Sequence, residues 1–224
     1  MIQFLEIRGG RIAMDRAFIK NLLQLSLDQN LHWMIKSSYK NYHVKGFNSI
    51  ILFQSDSLTI RLYICKPSET QLNPNNDNIL VHNHSFDFQT QVLTGYMENA
   101  VYEPSETETT EGVWYKYLYE SALKNHEHKM RLESLEKPYL NLTHIERVEA
   151  GSSYFLRHDE FHRIFVPDDR LVSMLFWQHR KVETIPIIFS KVPQPENFPT
   201  KGLYNRFTDE IEIQDLINLV IEHL

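Results

Sequence analysis

Three histidines in this chain could bind one metal ion. His82 and His84 close the apolar run Ile79-Leu-Val-His-Asn-His, which is typical of a β-strand. Alternate residues of a strand point to the same face, about 7 Å apart along the chain, so both imidazoles could reach the same ion. A further nitrogen from His162, on a neighbouring strand, would complete three ligands and leave positions open for water, oxygen or substrate. The spacing therefore predicts a reactive metal site.

The chain also holds a second His-x-His pair, His126 and His128. The surrounding segment, residues 122–130, is charged and lacks the alternation of a strand. We therefore interpret this pair as part of a solvated helix or loop without a ligand role.

The residues around the first pair form an ordered pattern. His84 leads into a strand-like segment that ends in Val92-Leu-Thr-Gly, and Gly151 is followed eleven residues later by His162. These two blocks resemble the two motifs of the cupin superfamily, and the resemblance extends over residues 57–191. It implies a mainly β fold, the cupin double-stranded β-helix or jelly roll, in which the three histidines are the metal ligands.

One position departs from the cupin pattern. Many cupins carry a glutamate ligand seven residues before the glycine of the first motif, and this chain has Phe88 there. Asp87 and Gln89 flank it, and a shifted strand could present either one as a fourth ligand. Without a carboxylate, the site resembles that of the cysteine dioxygenase type of thiol dioxygenase, whose iron is held by three histidines while the remaining face binds substrate and oxygen. His158 stands outside the pattern.

The three predicted histidine ligands limit the metals and substrates that the site could bind. Neutral imidazoles suit Fe(II), Zn(II), Ni(II) and, less well, Mn(II), so they leave the metal open. Three histidines do not offset the charge of the ion, which favours an anionic substrate that binds it directly. Together with the resemblance, this predicts a mononuclear non-haem Fe(II) dioxygenase that oxidises a small polar, thiol- or amino-acid-like metabolite with O2. The alternatives are a metal-dependent cupin isomerase, lyase or hydrolase, and a ligand-binding cupin without turnover.

Three further residues are candidates for catalysis. Arg61 and Tyr63 share the polar face of a predicted strand. If that face points inward, Arg61 could clamp a substrate carboxylate while Tyr63 donates a hydrogen bond. The alternative places Arg61 on the outer surface. Asp87 could hold the second nitrogen of a ligand imidazole, or serve as a turn residue.

Other side chains could line the pocket. Alternation allows either Trp177 or Gln178 to face inward, but not both, and a core position is favoured for Trp177. Tyr102 and His179 are further candidates. Cys65, the only cysteine, is interpreted as a small buried apolar residue.

Composition narrows the class of protein. The chain has 224 residues, of which 42% are hydrophobic, which suits one sizeable globular domain. A net charge of −6 offers no basic excess for phosphates and argues against a nucleic-acid partner. No segment has the character of a signal peptide or a membrane span. We therefore expect a cytoplasmic protein with small-molecule partners, a substrate and O2, that could form a homodimer.

Periodicity predicts the elements that position these residues. A helical segment, about 15–42, carries apolar residues at helical spacing with a break near residues 28–30. A closing helix, about 208–224, begins at a capping box of Asp209 and Glu212. Between them, at about 49–191, short strands form a barrel that a charged excursion interrupts at 121–138. The predicted strands are 49–54, 57–66, 79–84, 90–101, 113–119, 139–148, 153–157, 170–178 and 184–191.

Overall fold

The computed structural model describes residues 14–42, 45–67, 80–122, 127–132, 138–193 and 204–224. The helices in these ranges are α1 (Arg16–Ser37) and α2 (Glu210–His223). The strands are β1 (Tyr39–Lys40), β2 (Phe47–Gln54), β3 (Leu58–Cys65), β4 (Val81–His82), β5 (Phe88–Thr94), β6 (Tyr96–Ser105), β7 (Tyr115–Ala122), β8 (Glu127–Leu132), β9 (Tyr139–Glu149), β10 (Ser153–Leu156), β11 (Phe161–Phe165), β12 (Val172–His179), β13 (Ile187–Ser190) and β14 (Asn205–Arg206).

The strands form two antiparallel sheets. The first sheet has the order β10-β5-β12-β3-β2-β1-β14, and the second has the order β8-β7-β13-β4-β11-β6-β9. From β3 to β6, and again from β10 to β13, successive strands alternate between the two sheets. This winding is that of a double-stranded β-helix. The prediction of a mainly β jelly roll with helical segments at both ends is confirmed.

Two hydrophobic clusters hold the layers together. One draws side chains from both sheets, lying between them and continuing onto the other face of the second sheet, whereas the other joins the first sheet to α1 and α2. β3 contributes to both clusters: Ile60, Leu62 and Ile64 pack toward the helices, and Tyr63 and Cys65 face the second sheet. The strand thus follows the two-residue period of its sequence.

The N-terminal helix differs from the sequence prediction. Asp15 caps α1, because its carboxylate accepts a hydrogen bond from the Phe18 backbone N–H at 2.8 Å. The helix then runs unbroken through residues 28–30, and it ends at Ser37, before the predicted residue 42. Buried side chains on one face hold it against the first sheet and α2, and this packing outweighs the weak helix formers of the predicted break.

The C-terminal helix begins where the sequence predicts. The Asp209 carboxylate accepts a hydrogen bond from the Ile211 N–H at 2.9 Å, as an N-cap does. Glu212 has a different role from the predicted one, since its carboxylate binds Lys40 Nζ at 2.9 Å and ties α2 to β1. Neither helix of the described ranges combines the length and apolar character that a membrane span needs.

Several strands differ in extent from the predicted ones. The predicted strand at 90–101 divides at Gly95, where φ is +67° and a Cβ atom would lie 2.7 Å from the Leu171 carbonyl oxygen. β4 ends at His82, so His84 lies beyond it, and residue 79 is outside the described ranges. β8 lies within the predicted charged excursion, and β11 forms inside the second motif, where no strand was predicted.

Candidate metal centre

The fold brings the three predicted ligands together. β4 and β11 are neighbours in the second sheet, and His82 lies directly opposite His162. His84 follows β4, and its backbone N–H donates to the His158 carbonyl at 3.3 Å. One ring nitrogen from each of the three imidazoles lies within 4.8 Å of the others, so this cluster could hold a metal ion. Of the other pair, His126 and the side chain of His128 are outside what the structure describes.

Hydrogen bonds orient two of the three rings. Nδ1 of His82 lies 3.1 Å from the Leu80 carbonyl oxygen, and Nδ1 of His162 lies 2.8 Å from Oδ1 of buried Asn99. Because these oxygens only accept hydrogen bonds, each Nδ1 carries the proton and each Nε2 keeps its lone pair. Ligand histidines are commonly held in this manner, with one nitrogen donating to an oxygen and the other facing the metal.

The spacing of the nitrogens fits an ion. The Nε2 atoms of His84 and His162 lie 3.0 Å apart. Two nitrogens that each lie ~2.1 Å from one ion, at a right angle to one another, are separated by about 3 Å. This pair of nitrogens therefore fits neighbouring ligand positions on a divalent metal.

Burial keeps these imidazoles in the form that binds metal. His162 is 4% exposed, and burial lowers its pKa well below the usual histidine value, with a further contribution from His82. Burial also lowers the pKa of His82, and the hydrogen bond to Leu80 offsets only part of this effect. Both rings are therefore neutral near pH 7, which leaves a nitrogen lone pair available to a cation.

An aromatic ring lies where a carboxylate ligand would stand in many cupins. Phe88 is 1% exposed, and its ring centroid lies 4.8 Å from that of His84 and 5.6 Å from that of His162. Its ring stacks on Phe176 at 4.5 Å. This side of the cluster is therefore apolar and closed to water.

The two residues that flank Phe88 point elsewhere. Asp87 Oδ1 accepts hydrogen bonds from the backbone N–H and the Nδ1–H of His158, at 2.7 and 2.8 Å. Burial raises the pKa of Asp87, but these bonds outweigh it and the net pKa lies below the usual value. Gln89 lies opposite Trp177, on the face of the first sheet that the helices cover. Asp87 thus holds His158 and not a ligand imidazole, and no carboxylate joins the cluster within the described residues.

Arg61 and Tyr63 lie on the face of β3 that is directed between the sheets. The Tyr63 ring is 5.3 Å from Phe176 and belongs to the edge of the inter-sheet cluster. Arg61, two residues away on the same face, donates from Nη2 to Gln178 Oε1 at 3.3 Å. Both side chains keep accessible surface although they point inward. Burial raises the pKa of Tyr63, which keeps its hydroxyl protonated and able to donate.

Alternation on β12 places Gln178 inward and Trp177 outward. Gln178 reaches Arg61, whereas Trp177 packs into the cluster beneath the helices. Cys65 is fully buried in the inter-sheet cluster and forms no disulfide. The positions of Trp177 and Cys65 agree with the sequence interpretation of a core tryptophan and a small buried cysteine.

Tyr102 and His179 lie away from the cluster. Val101 is opposite His162, so Tyr102, the next residue, projects to the other face of the second sheet and packs against Trp114 at 5.9 Å. His179 is exposed at the end of β12. In the part of the chain that the structure describes, neither side chain interacts with the three histidines.

Sequence analysis missed the residues that hold the cluster in place. Asn99 is 2% exposed and orients His162, and its only sequence signal is a polar side chain within an apolar strand. His158 was set aside because it lies outside the motif, yet its carbonyl accepts from the His84 N–H. The fold and the cluster together define a jelly-roll protein with a three-histidine candidate metal centre.

Comparison with known proteins assigns no family. No protein-family model and no curated protein matches the sequence. Among solved structures, the chain is similar to the polyketide cyclase RemF from Streptomyces resistomycificus, with 10% identity over 72% of this chain and 83% of that one and a TM-score of 0.41. It is also similar to hydroquinone 1,2-dioxygenase from Sphingomonas sp. TTNP3, with 8% identity over 59% and 65% of the two chains and a TM-score of 0.33. A cupin superfamily protein from Desulfitobacterium hafniense DCB-2 shares 13% identity over 59% and 76%, with a TM-score of 0.31. At these values the likeness assigns no activity to this chain.

Proposed function

We propose that this protein is a mononuclear non-haem Fe(II) dioxygenase that oxidises a small metabolite with O2. The observation that supports this most directly is the cluster of His82, His84 and His162, in which three imidazole donors gather without a carboxylate among the described residues. Three ligands on one side of an ion leave positions for both a substrate and O2.

The charge of the site supports an anionic substrate. Neutral imidazoles leave the two positive charges of a divalent ion uncompensated by protein ligands. Arg61 adds a further cation on the inward face of the first sheet, where its present partner is the neutral amide of Gln178. A thiolate, carboxylate or phenolate would be attracted to this side of the protein.

The residues of the chain have separate tasks in this proposal. Fe(II), when bound, would supply the site at which O2 and substrate meet. Asn99 and the Leu80 carbonyl fix the imidazole tautomers, so that Nε2 is the free donor. Phe88 excludes water from one side of the histidines, and Arg61 orients the anionic end of the substrate.

Metal content and oxygen uptake test this function. Protein purified without an affinity tag is analysed by elemental mass spectrometry, then loaded with Fe(II) under anaerobic conditions and given thiols, amino acids and organic acids. We expect about one iron per chain and O2 consumption that requires both iron and substrate. His162→Ala should lose both properties, whereas the double variant His126→Ala, His128→Ala should retain them.

Two other outcomes would contradict the dioxygenase and identify an alternative. Stoichiometric zinc, manganese or nickel with turnover in the absence of O2 would support a metal-dependent isomerase, lyase or hydrolase. Failure to bind any of these metals, including Fe(II) under anaerobic conditions, would support a ligand-binding protein without turnover.

A further inference from the structure

Aromatic side chains form a continuous tract from the histidine cluster along the inward face of the first sheet. The Phe86 ring lies 5.0 Å from His84 and 6.2 Å from Phe176, and Phe176 lies 5.3 Å from Tyr63. Tyr63 in turn stacks on Tyr42 at 6.1 Å. The tract thus begins beside the candidate metal ligands and continues across the inward face of β3.

Two more tyrosines extend the tract to the second sheet. Tyr204 meets Tyr42 edge to face at 5.3 Å, and Tyr119 on β7 is a close neighbour of Tyr204. We call the half-buried rings of this tract the aromatic cleft. Its members are Tyr42, Tyr63, Phe86, Tyr119 and Tyr204.

Accessible surface on these rings distinguishes the cleft from a closed core. Phe88 and Phe176 are 1% and 6% exposed and form its floor. The members of the aromatic cleft, in contrast, keep partial exposure although they stand between the two sheets. Rings that keep accessible surface on an inward face are the ones that a flat ligand would contact.

Arg61 supplies the charge of the cleft. Its guanidinium carbon lies 5.7 Å from the centroid of the Tyr42 ring, and its hydrogen bonds go to the Gln178 amide oxygen at 3.3 and 3.4 Å. Within the described ranges Arg61 makes no ion pair. Arg61 is thus a permanent cation beside the aromatic cleft, and its partners among the described residues are an amide and a ring.

We propose that the aromatic cleft binds a planar aromatic carboxylate as the substrate of the metal site. The carboxylate pairs with Arg61, the ring lies against Tyr63 and Phe86, and the far edge of the ring faces the histidines. Aromatic rings gain specific contact energy in such a setting, and a carboxylate is a stronger acceptor for Arg61 than an amide. This inference rests on the proposed function and narrows its substrate class.

A matched pair of acids tests the proposal. Benzoate and cyclohexanecarboxylate have the same charge and the same number of heavy atoms, but only benzoate is planar and aromatic. Their affinities are measured by isothermal titration calorimetry on metal-free and on Zn(II)-loaded protein. We expect benzoate to bind about tenfold more tightly.

Three variants assign the effect to residues. Tyr63→Leu should remove the preference for benzoate. Phe86→Leu should reduce that preference, and it serves as the test if Tyr63→Leu disturbs folding. Arg61→Gln should weaken the binding of both acids by about tenfold while leaving the preference for benzoate in place. Tyr96→Leu is the matched control, because that ring lies against Arg147 at 3.6 Å on the outside of the molecule and should not affect either acid.

The outcomes separate this inference from the proposed function. The proposal for the aromatic cleft would be overturned, even if iron binds, by any of three results. These are equal affinity for the two acids, tighter binding of cyclohexanecarboxylate, and no binding of either acid. Oxygen uptake driven by cysteine and not by aromatic acids would overturn it as well. If the protein fails to load metal but prefers benzoate through Tyr63, the dioxygenase fails and the aromatic-acid site stands.

Discussion

The two faces of β3 carry different chemistry. Toward the helices, Ile60, Leu62 and Ile64 are at most 4% exposed and pack with the aliphatic side chains of α1 and α2. Toward the second sheet, Arg61 and Tyr63 are half-buried beside aromatic rings. The helices thus supply the first sheet with a dry core on its outer face. The inward face instead combines polar groups with rings that keep accessible surface.

This division implies that stability and function can be changed separately. Side chains under the helices contribute apolar burial without contact to the histidines, and the inward side chains contribute contacts to a ligand. Substitutions on the two faces should therefore have different signatures, although the residues alternate along a single strand.

The largest effect on stability is expected on the helix side. Leu62 is 0% exposed, and Leu62→Ala would leave a cavity between β3 and the helices. We expect a loss of about 2–5 kcal/mol in the free energy of unfolding, measured by chemical denaturation of the metal-free protein. The folded fraction should bind metal with unchanged affinity. Weaker metal binding by the folded variant would contradict the separation of the two faces.

The largest effect on the metal site is expected at His162. His162→Ala removes one of three ligands, and we expect metal affinity to fall by at least about 100-fold, measured by competition with a chelator. The free energy of unfolding of the metal-free protein should change less than in Leu62→Ala, because the lost group is polar. His144→Ala, an exposed histidine on β9, is the control and should bind metal as the unchanged protein does. Full metal affinity in His162→Ala would remove this residue from the centre.

The buried imidazoles also predict acid sensitivity. In the folded protein the pKa values of His162 and His82 lie below the value of about 6.5 for an unfolded histidine. As the pH falls below about 6.5, the unfolded chain takes up protons that the folded protein does not. Stability should then decrease by up to about 1.4 kcal/mol per pH unit for each such histidine. Above that pH these histidines are neutral in both the folded and the unfolded protein, so they no longer make stability depend on pH.

Denaturation of the metal-free protein between about pH 8 and pH 5 measures this slope. The His162→Ala variant should show a shallower decrease, because one buried imidazole is gone. An equal slope in both proteins would assign the acid sensitivity to other groups.

Local sequence patterns predicted those parts of the molecule that depend on residues close to one another in the sequence. The alternation in β3 and the N-cap at Asp209 are present in the sequence as short-range signals. His162 was assigned to the cluster through the resemblance of its motif, because it is far from His82 and His84 in the sequence. The break predicted near residues 28–30 is wrong because packing of α1 on the sheet overrides local propensity.

Long-range pairings were beyond such patterns. Asn99 meets His162 only because β6 and β11 are neighbours in the second sheet, and no spacing in the sequence encodes that contact. The aromatic cleft combines rings from β3, β7 and the segments beside β1 and β14, so it exists only once both sheets are assembled.

Asp87 tests how far the metal site depends on residues that do not face it. Its carboxylate binds both the backbone N–H and the ring of His158, and the His158 carbonyl accepts from the His84 N–H. Asp87→Ala would release this turn and loosen His84, and we expect about tenfold weaker metal binding. Asp87→Asn keeps an oxygen acceptor at the same position, so its affinity should stay within about threefold of the unchanged protein.

The comparison of these two variants separates hydrogen bonding from charge. If Asp87→Asn loses as much affinity as Asp87→Ala, the negative charge near the cation matters and the two hydrogen bonds do not. Asp159→Ala provides the control in the same turn, because Asp159 is exposed and, among the described residues, pairs with the exposed side chain of Arg157 at 3.0 Å. Surface pairs of this kind contribute little, so that variant should keep both its metal affinity and its stability. Asp87→Ala with unchanged affinity would show that β4 and β11 alone position the ligands, and that the turn at His158 is independent of the metal site.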